Sequence, residues 1–311
     1  LLLSVVGVCF KIAAVPMHFY AADVYEGAAT PVTAFLAFVP KAAGFVTLVI
    51  ILETVGWSLG GDDQTVTAVL WILAVATMFV GNTLALLQGN VKRLLAYSSI
   101  AHSGYMLVGL VAGPVGDGPQ NGVSAILFYL VAYGVMNTGA FAVLGLLARD
   151  GEEADDLDDL RGLGQRRPGL AVMLSICVLS LVGLPPLVGF WGKLYLFSAA
   201  ISAGYVWLAV FGVINSAIAA YYYLRIIGVC YLSEPSGQAQ VLARPARMLG
   251  AAVSATAVVV LSLVASPLIR ASDQAGRQFL PGRSDGPVQV DPAAPPASKP
   301  GRANKAVAQR P

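Results

Sequence analysis

Charge is scarce in this sequence: of 311 residues, 12% are Asp, Glu, Lys or Arg, against 57% apolar. That is about half the charge of an ordinary soluble domain, which excludes a water-solvated fold of this size and makes lipid the solvent. Cysteine is also sparse. Cys9, Cys177 and Cys230 lie inside apolar runs, without Cys-x-x-Cys spacing or a neighbouring His, so neither a disulfide framework nor a metal site follows. Phosphate loops, a nucleophile with its base, and flavin or haem motifs are all missing, which leaves no cofactor-binding residues and no redox centre to assign. The net charge of +2 is segregated outside the apolar runs and suggests no nucleic-acid surface. No initiator Met and no basic leader precede Leu1, so the expectation is a sequence that begins within a longer protein.

What fills the chain is apolar runs near 1–19, 32–55, 66–87, 94–112, 123–148, 169–204, 205–232 and 246–269. A hydrocarbon core of ~30 Å takes ~20 helical residues to cross, so these read as eight crossings. Closed β-barrels are the other spanning solution, but the runs lack two-residue alternation and are too long for strands. The predicted fold class is all-α, a polytopic transmembrane helical bundle. Residues 1–269 form its transmembrane domain, and 270–311, rich in Pro, Ala and Gly with scattered Arg and Lys, read as a disordered basic tail.

Alternation of sides puts the connections at 20–31, 88–93, 149–168 and 233–245 together, with those at 56–65, 113–122 and near 204 opposite. The first group holds Lys92, Arg93, Arg149, Arg161, Arg166, Arg167 and Arg244; the second holds no Lys or Arg, so the first side is cytoplasmic. The basic tail falls on the outer side by this count, which leaves two options: C-terminal charges weigh little, or the count is off by one. The acidic run at 149–168 reads as a solvated cytoplasmic connection.

Four titratable side chains share one depth. At 1.5 Å per helical residue, Lys11, Lys41 and His102 lie ~14–15 Å from the cytoplasmic loops and Lys193 ~16 Å from the outer one. A charged Lys at that depth facing lipid costs ~3 kcal/mol or more, so Lys11, Lys41 and Lys193 are expected to face protein or water. Burial penalises an ammonium relative to the amine, as a proton carrier requires, and a row of such groups reads as a proton wire. The competing reading makes each lysine a structural staple to a carboxylate and His102 a neutral core histidine among Ser98, Ser99 and Ser103. No Asp or Glu sits at the middle of any run, so a carboxylate partner is expected upstream of Leu1 or on a neighbouring subunit.

Helical continuity is expected to fail twice, giving two discontinuous helices. One break runs from Pro16 to Pro31; the other is at Pro185-Pro186, inside a run that would reach ~54 Å as one straight helix. Proline frees backbone carbonyls that lipid cannot satisfy, so each break should line a protein-packed or hydrated place, although a kink for packing alone has the same signature.

Residues 10–36 (FKIAAVPMHFYAADVYEGAATPVTAFL), 91–105 (VKRLLAYSSIAHSGY) and 184–193 (LPPLVGFWGK) together resemble the antiporter-like membrane subunits of respiratory complex I, NADH:quinone oxidoreductase, with His102 favouring the subunit N branch. The resemblance covers about 1–269. It implies a fourteen-helix subunit of inverted repeats, of which this chain would supply the last eight helices, in a bacterial inner membrane beside other complex I membrane subunits. It also implies proton translocation through Lys11 and Lys193 on the broken helices, Lys41 on the helix between, and His102, with NADH and quinone used elsewhere in the complex. Relatives in cation/proton antiporters and membrane-bound hydrogenases use the same lysines, and a purely structural membrane subunit is a further alternative.

Overall fold

The computed structural model describes residues 2–55, 57, 65–114, 121–149, 151–235, 239–242 and 244–279. Helices follow one another as α1 (Leu2–Lys11), α2 (Ala21–Gly27), α3 (Thr30–Val55), α4 (Thr65–Leu86), α5 (Val91–Ala112), α6 (Gly122–Leu144), α7 (Leu163–Arg166), α8 (Pro168–Val182), α9 (Val188–Ser202), α10 (Val206–Leu232), α11 (Pro245–Leu263) and α12 (Ala265–Arg277). Six of them, α3, α4, α5, α6, α10 and α11, are long and apolar enough to cross a membrane. The runs read as crossings at 1–19 and 169–204 are made in pieces: α1 stops at Lys11 and α2 begins at Ala21, while α8 stops at Val182 and α9 begins at Val188.

Local chemistry explains the boundaries. Asn90 and Asn121 cap α5 and α6 by accepting the backbone N–H of Arg93 and those of Val123 and Ser124. Pro168 and Pro245 open α8 and α11, where a missing N–H costs nothing. Gly183 ends α8 with φ +88°, a left-handed conformation in which a side chain would be strained. Pro31 departs from the expected break: it sits in the first turn of α3, a position its fixed φ suits, so it starts a helix and does not interrupt one.

At the centre stands α5, buried almost throughout and packed most closely on α4. Lipid tails are as apolar as leucine, so close backbone approach has to hold helices together here. A Cβ at Gly81 would lie 2.6 Å from the Ala101 N, and one at Gly104 would lie 2.7 Å from the Met78 N, so only glycine permits this contact. Cys9, Cys177 and Cys230 are free thiols buried among the helices.

Described parts of the two groups of connections lie at opposite ends of α5, Asp156 beside Asn90 at one and Trp57 beside Gly113 at the other. At the end rich in Arg and Lys, residues expected to be a solvated loop build a cap. Strand β1 (Leu147–Arg149) pairs antiparallel with β2 (Glu152–Glu153) and β3 (Gln240–Val241), followed by a 3-10 turn at Leu157–Leu160. The charge run is ordered because its acids find fixed partners: Lys92 is buried and pairs with Glu153 (3.2 Å) and Asp155 (2.7 Å), and buried Asp159 takes Arg149 (2.9 Å). Glu153 also accepts the backbone N–H and hydroxyl of Thr30 at the start of α3. Burial works against the Glu153 carboxylate, but the bonds from Thr30 and Lys92 outweigh it and hold its pKa below the ordinary value of 4.5. Asp155 is raised instead, because burial outweighs Lys92 there.

The tail begins later than the sequence reading put it. Residues 270–277 belong to α12, whose small Ser272 and Gly276 are buried, with Gly276 against Ser124 of α6 and Asp273 accepting a hydrogen bond from Tyr195. Small residues on one face let α12 lie close on the outer end of α6, where the count of crossings placed it. The remainder of the expected tail, 280–311, lies outside the described residues.

Candidate functional site

Proline removes an N–H, so the carbonyl four residues before it loses its helical partner. The last carbonyls of a helix lack partners as well, and polar side chains take up carbonyls of both kinds here. Ile12 follows the last residue of α1, and its oxygen accepts from the Lys41 ammonium (3.2 Å) and the Ser103 hydroxyl (2.7 Å). Val182 ends α8, and its oxygen accepts from Lys193 (2.8 Å). Four before Pro40, inside α3, is Leu36, whose oxygen accepts from the Tyr25 hydroxyl (3.3 Å). A carbonyl orphaned in lipid costs several kcal/mol, so these side chains repair the breaks as the breaks fix the side chains.

Lys41 is more fully held than Lys193. Its ammonium donates to Ile12 O, to Ser99 O (2.7 Å) and to Ser103 Oγ (2.6 Å), so three donors meet three acceptors. Lys193 donates to Val182 O and lies 4.6 Å over the ring of Tyr105. Gly183 leaves room for it: a Cβ there would meet Lys193 Cδ at 2.9 Å. The partial negative charge at the C-terminal ends of α1 and α8 favours a cation at both places.

Between them lies His102, buried on α5. Its Nδ1 is 2.7 Å from the Tyr129 hydroxyl and its Nε2 is 3.1 Å from that of Tyr223. Tyr223 is bonded on to Ser98, and Tyr133 donates to the Oγ (2.8 Å) of Ser99, the residue whose carbonyl accepts from Lys41. Toward Lys193, Tyr222 donates to Asn82 (3.0 Å) and Asn82 donates to the Tyr105 hydroxyl (3.3 Å). Polar groups thus run from one buried lysine toward the other through a bundle whose outside is apolar.

Residues 1–219 match the family described as NADH:quinone oxidoreductase/Mrp antiporter, transmembrane. The chain belongs to that family. It is 43% identical over 270 residues to the NADH-quinone oxidoreductase subunit N of Bdellovibrio bacteriovorus, covering 87% of this chain and 55% of that protein. Among solved structures it superposes on a chain of respiratory complex I from Thermus thermophilus with bound Aureothin, with TM-score 0.73 and 34% identity, over 85% of this chain and 56% of that one. A chain of the Mrp complex from Dietzia sp. DQ12-45-1b shares the fold, with TM-score 0.78 at 23% identity, over 88% of this chain and 58% of that one. The chain spans about half the length of the curated relatives it matches.

For this member of the antiporter family, the structure brings together Lys41, His102 and Lys193 and leaves Lys11 apart. Lys11 closes α1 with an exposed side chain and joins none of the contacts of the buried network. Its depth had suggested a protein or water partner; within the described residues it faces outward from the bundle. Sequence reading missed Pro40 and the buried tyrosines Tyr25, Tyr105, Tyr129, Tyr133, Tyr195, Tyr222 and Tyr223. A signal existed: Tyr105 lies three residues after His102, and Tyr129 and Tyr133 lie four apart, so each pair shares a helix face.

Proposed function

We propose that this chain is the C-terminal half of a proton-translocating subunit N of NADH:quinone oxidoreductase, working in a bacterial inner membrane beside the complex's other membrane subunits. The complex uses NADH and quinone; this chain moves protons and carries no redox centre. Lys41, His102 and Lys193 relay protons across the middle of the membrane, and Lys11 feeds them from a carboxylate outside these residues. One observation carries the reading: Lys41 and Lys193 each sit on a carbonyl at the end of a broken helix, with a hydrogen-bonded histidine between them. A lysine held by a backbone carbonyl has no fixed counter-charge, so it can lose and regain its proton without breaking an ion pair. A purely structural staple calls for a carboxylate partner, and the buried acid among the described residues, Asp159, is bound to Arg149 in the cap. The 43% identity to a relative named subunit N favours this reading over a cation/proton antiporter, where the likeness to the Mrp chain is one of fold.

The test places the intact gene in inverted membrane vesicles and records NADH-driven acidification beside NADH oxidation. Lys193→Ala is expected to abolish the acidification that depends on this subunit while the complex stays assembled. Normal acidification in that variant would make the lysines structural.

A further inference from the structure

His102 is held on both nitrogens by phenols. Tyr129 (α6) meets Nδ1 at 2.7 Å and Tyr223 (α10) meets Nε2 at 3.1 Å, and all three side chains are buried. A neutral imidazole has one N–H and one lone pair, so one phenol must donate to the ring while the other accepts. An imidazolium would donate to both and would find no counter-ion: the buried charges of the bundle are the cations Lys41 and Lys193, and the buried acid among the described residues is Asp159, paired in the cap. The two phenols also lead in different directions. Tyr223 continues to Ser98, one turn nearer the cytoplasmic end of α5, and Tyr129 packs on α9 beside Lys193, where a Cβ at Gly192 would lie 2.5 Å from its ring.

We propose that Tyr223, His102 and Tyr129 form a single proton-transfer unit, in which the imidazole passes protons between the two phenol hydroxyls by changing tautomer and stays neutral. The proposal rests on the proton-translocating reading above. The unit starts with the proton on Nδ1. A proton arriving from the Ser98 side bonds to the Tyr223 oxygen as the Tyr223 O–H bond breaks toward Nε2. The Nδ1–H bond breaks toward the Tyr129 oxygen, and the original Tyr129 hydroxyl proton leaves toward the Lys193 amine through intervening water. Three O–H or N–H bonds form within the unit as three break, so one proton enters, one leaves, and no side chain of the unit ends charged. Restoring the starting tautomer takes a separate exchange with water: the ring turns away from the phenols, the Nε2–H bond breaks toward a water oxygen as a water proton bonds to Nδ1, and the ring turns back, with no net charge moved.

The experiment uses the assembled complex in inverted vesicles, with subunit content as the check on assembly and NADH-driven acidification recorded beside oxidation. Tyr129→Phe and Tyr223→Phe remove only a hydroxyl. Each is expected to lose as much acidification as Lys193→Ala, and the double variant no more than either alone, because the groups act in series. Tyr221→Phe, an exposed neighbour, is expected to match wild type. Wild-type acidification in either buried Phe variant, with Lys193→Ala defective, overturns the relay and leaves the lysine function standing; wild-type acidification in Lys193→Ala removes both. Should the Phe variants fail to assemble, 3-fluorotyrosine at 129 or 223 keeps the ring's shape and makes the hydroxyl more acidic. A shifted pH profile of acidification is then expected, and an unchanged profile at both positions overturns the relay.

Discussion

The two broken helices meet the same problem with different parts. At the first break the lysine comes from another helix: Lys41 of α3 reaches Ile12 O, and Ser103 of α5 serves the same oxygen. At the second break the lysine belongs to the broken helix itself, Lys193 of α9 turning back on Val182 O of α8, with no second side chain on that oxygen among the described residues. The first is a shared, fully bonded ammonium site that ties three elements together. The second is a single hydrogen bond beside an aromatic face. Lys41 is therefore built to stay in place and Lys193 to let go, which suits a proton that is held in the middle and released toward one side.

Substituting the lysines separates these roles. Lys193→Met should cost about 1–3 kcal/mol, the penalty for leaving the buried Val182 carbonyl unpaired, read from the thermal inactivation midpoint of the purified complex. Lys41→Met should cost less, below about 1 kcal/mol, because Ser103 still serves Ile12 O; adding Ser103→Ala should then cost about 1–3 kcal/mol more than the sum of the single changes. Equal losses in the two single variants would erase the distinction. Tyr25→Phe, at the carbonyl freed by Pro40, should cost about 0.5–1 kcal/mol and leave acidification unchanged.

The smallest effect belongs to the cap. The folded pKa of Glu153 is depressed, so its contribution is present above 4.5 and is lost as pH falls through the folded value. Wild type and Glu153→Gln should therefore differ in thermal stability at pH 7 and converge once pH falls below the depressed folded value. A constant difference across that range would mean that Glu153 acts through packing alone.

Composition and run length were enough for the membrane and the helical class, because lipid leaves an exposed chain few options. Depth along the runs also picked out Lys41, His102 and Lys193, since a titratable group far from either end has to be buried. Lys11 passed the same test of depth yet is exposed: distance along a helix says nothing about which way around it a side chain points. Hydropathy hid the tyrosines, because a phenol reads as apolar until its hydroxyl is given a partner. In the 149–168 loop a charge run looked solvated, and only the position of Lys92 opposite it made an ordered cap.

The sequence by itself determined that carbonyls would be left without an N–H where a helix stops and four residues before the proline inside α3, since a helix cannot pair its last turn and proline carries no N–H. Which side chain answers each one was decided by tertiary structure alone. Lys41 is 29 residues from Ile12, and His102 is 27 and 121 residues from the two phenols that hold it. Such meetings depend on how helices cross and how closely glycine lets α4 and α5 approach, and no local pattern along the chain encodes those distances.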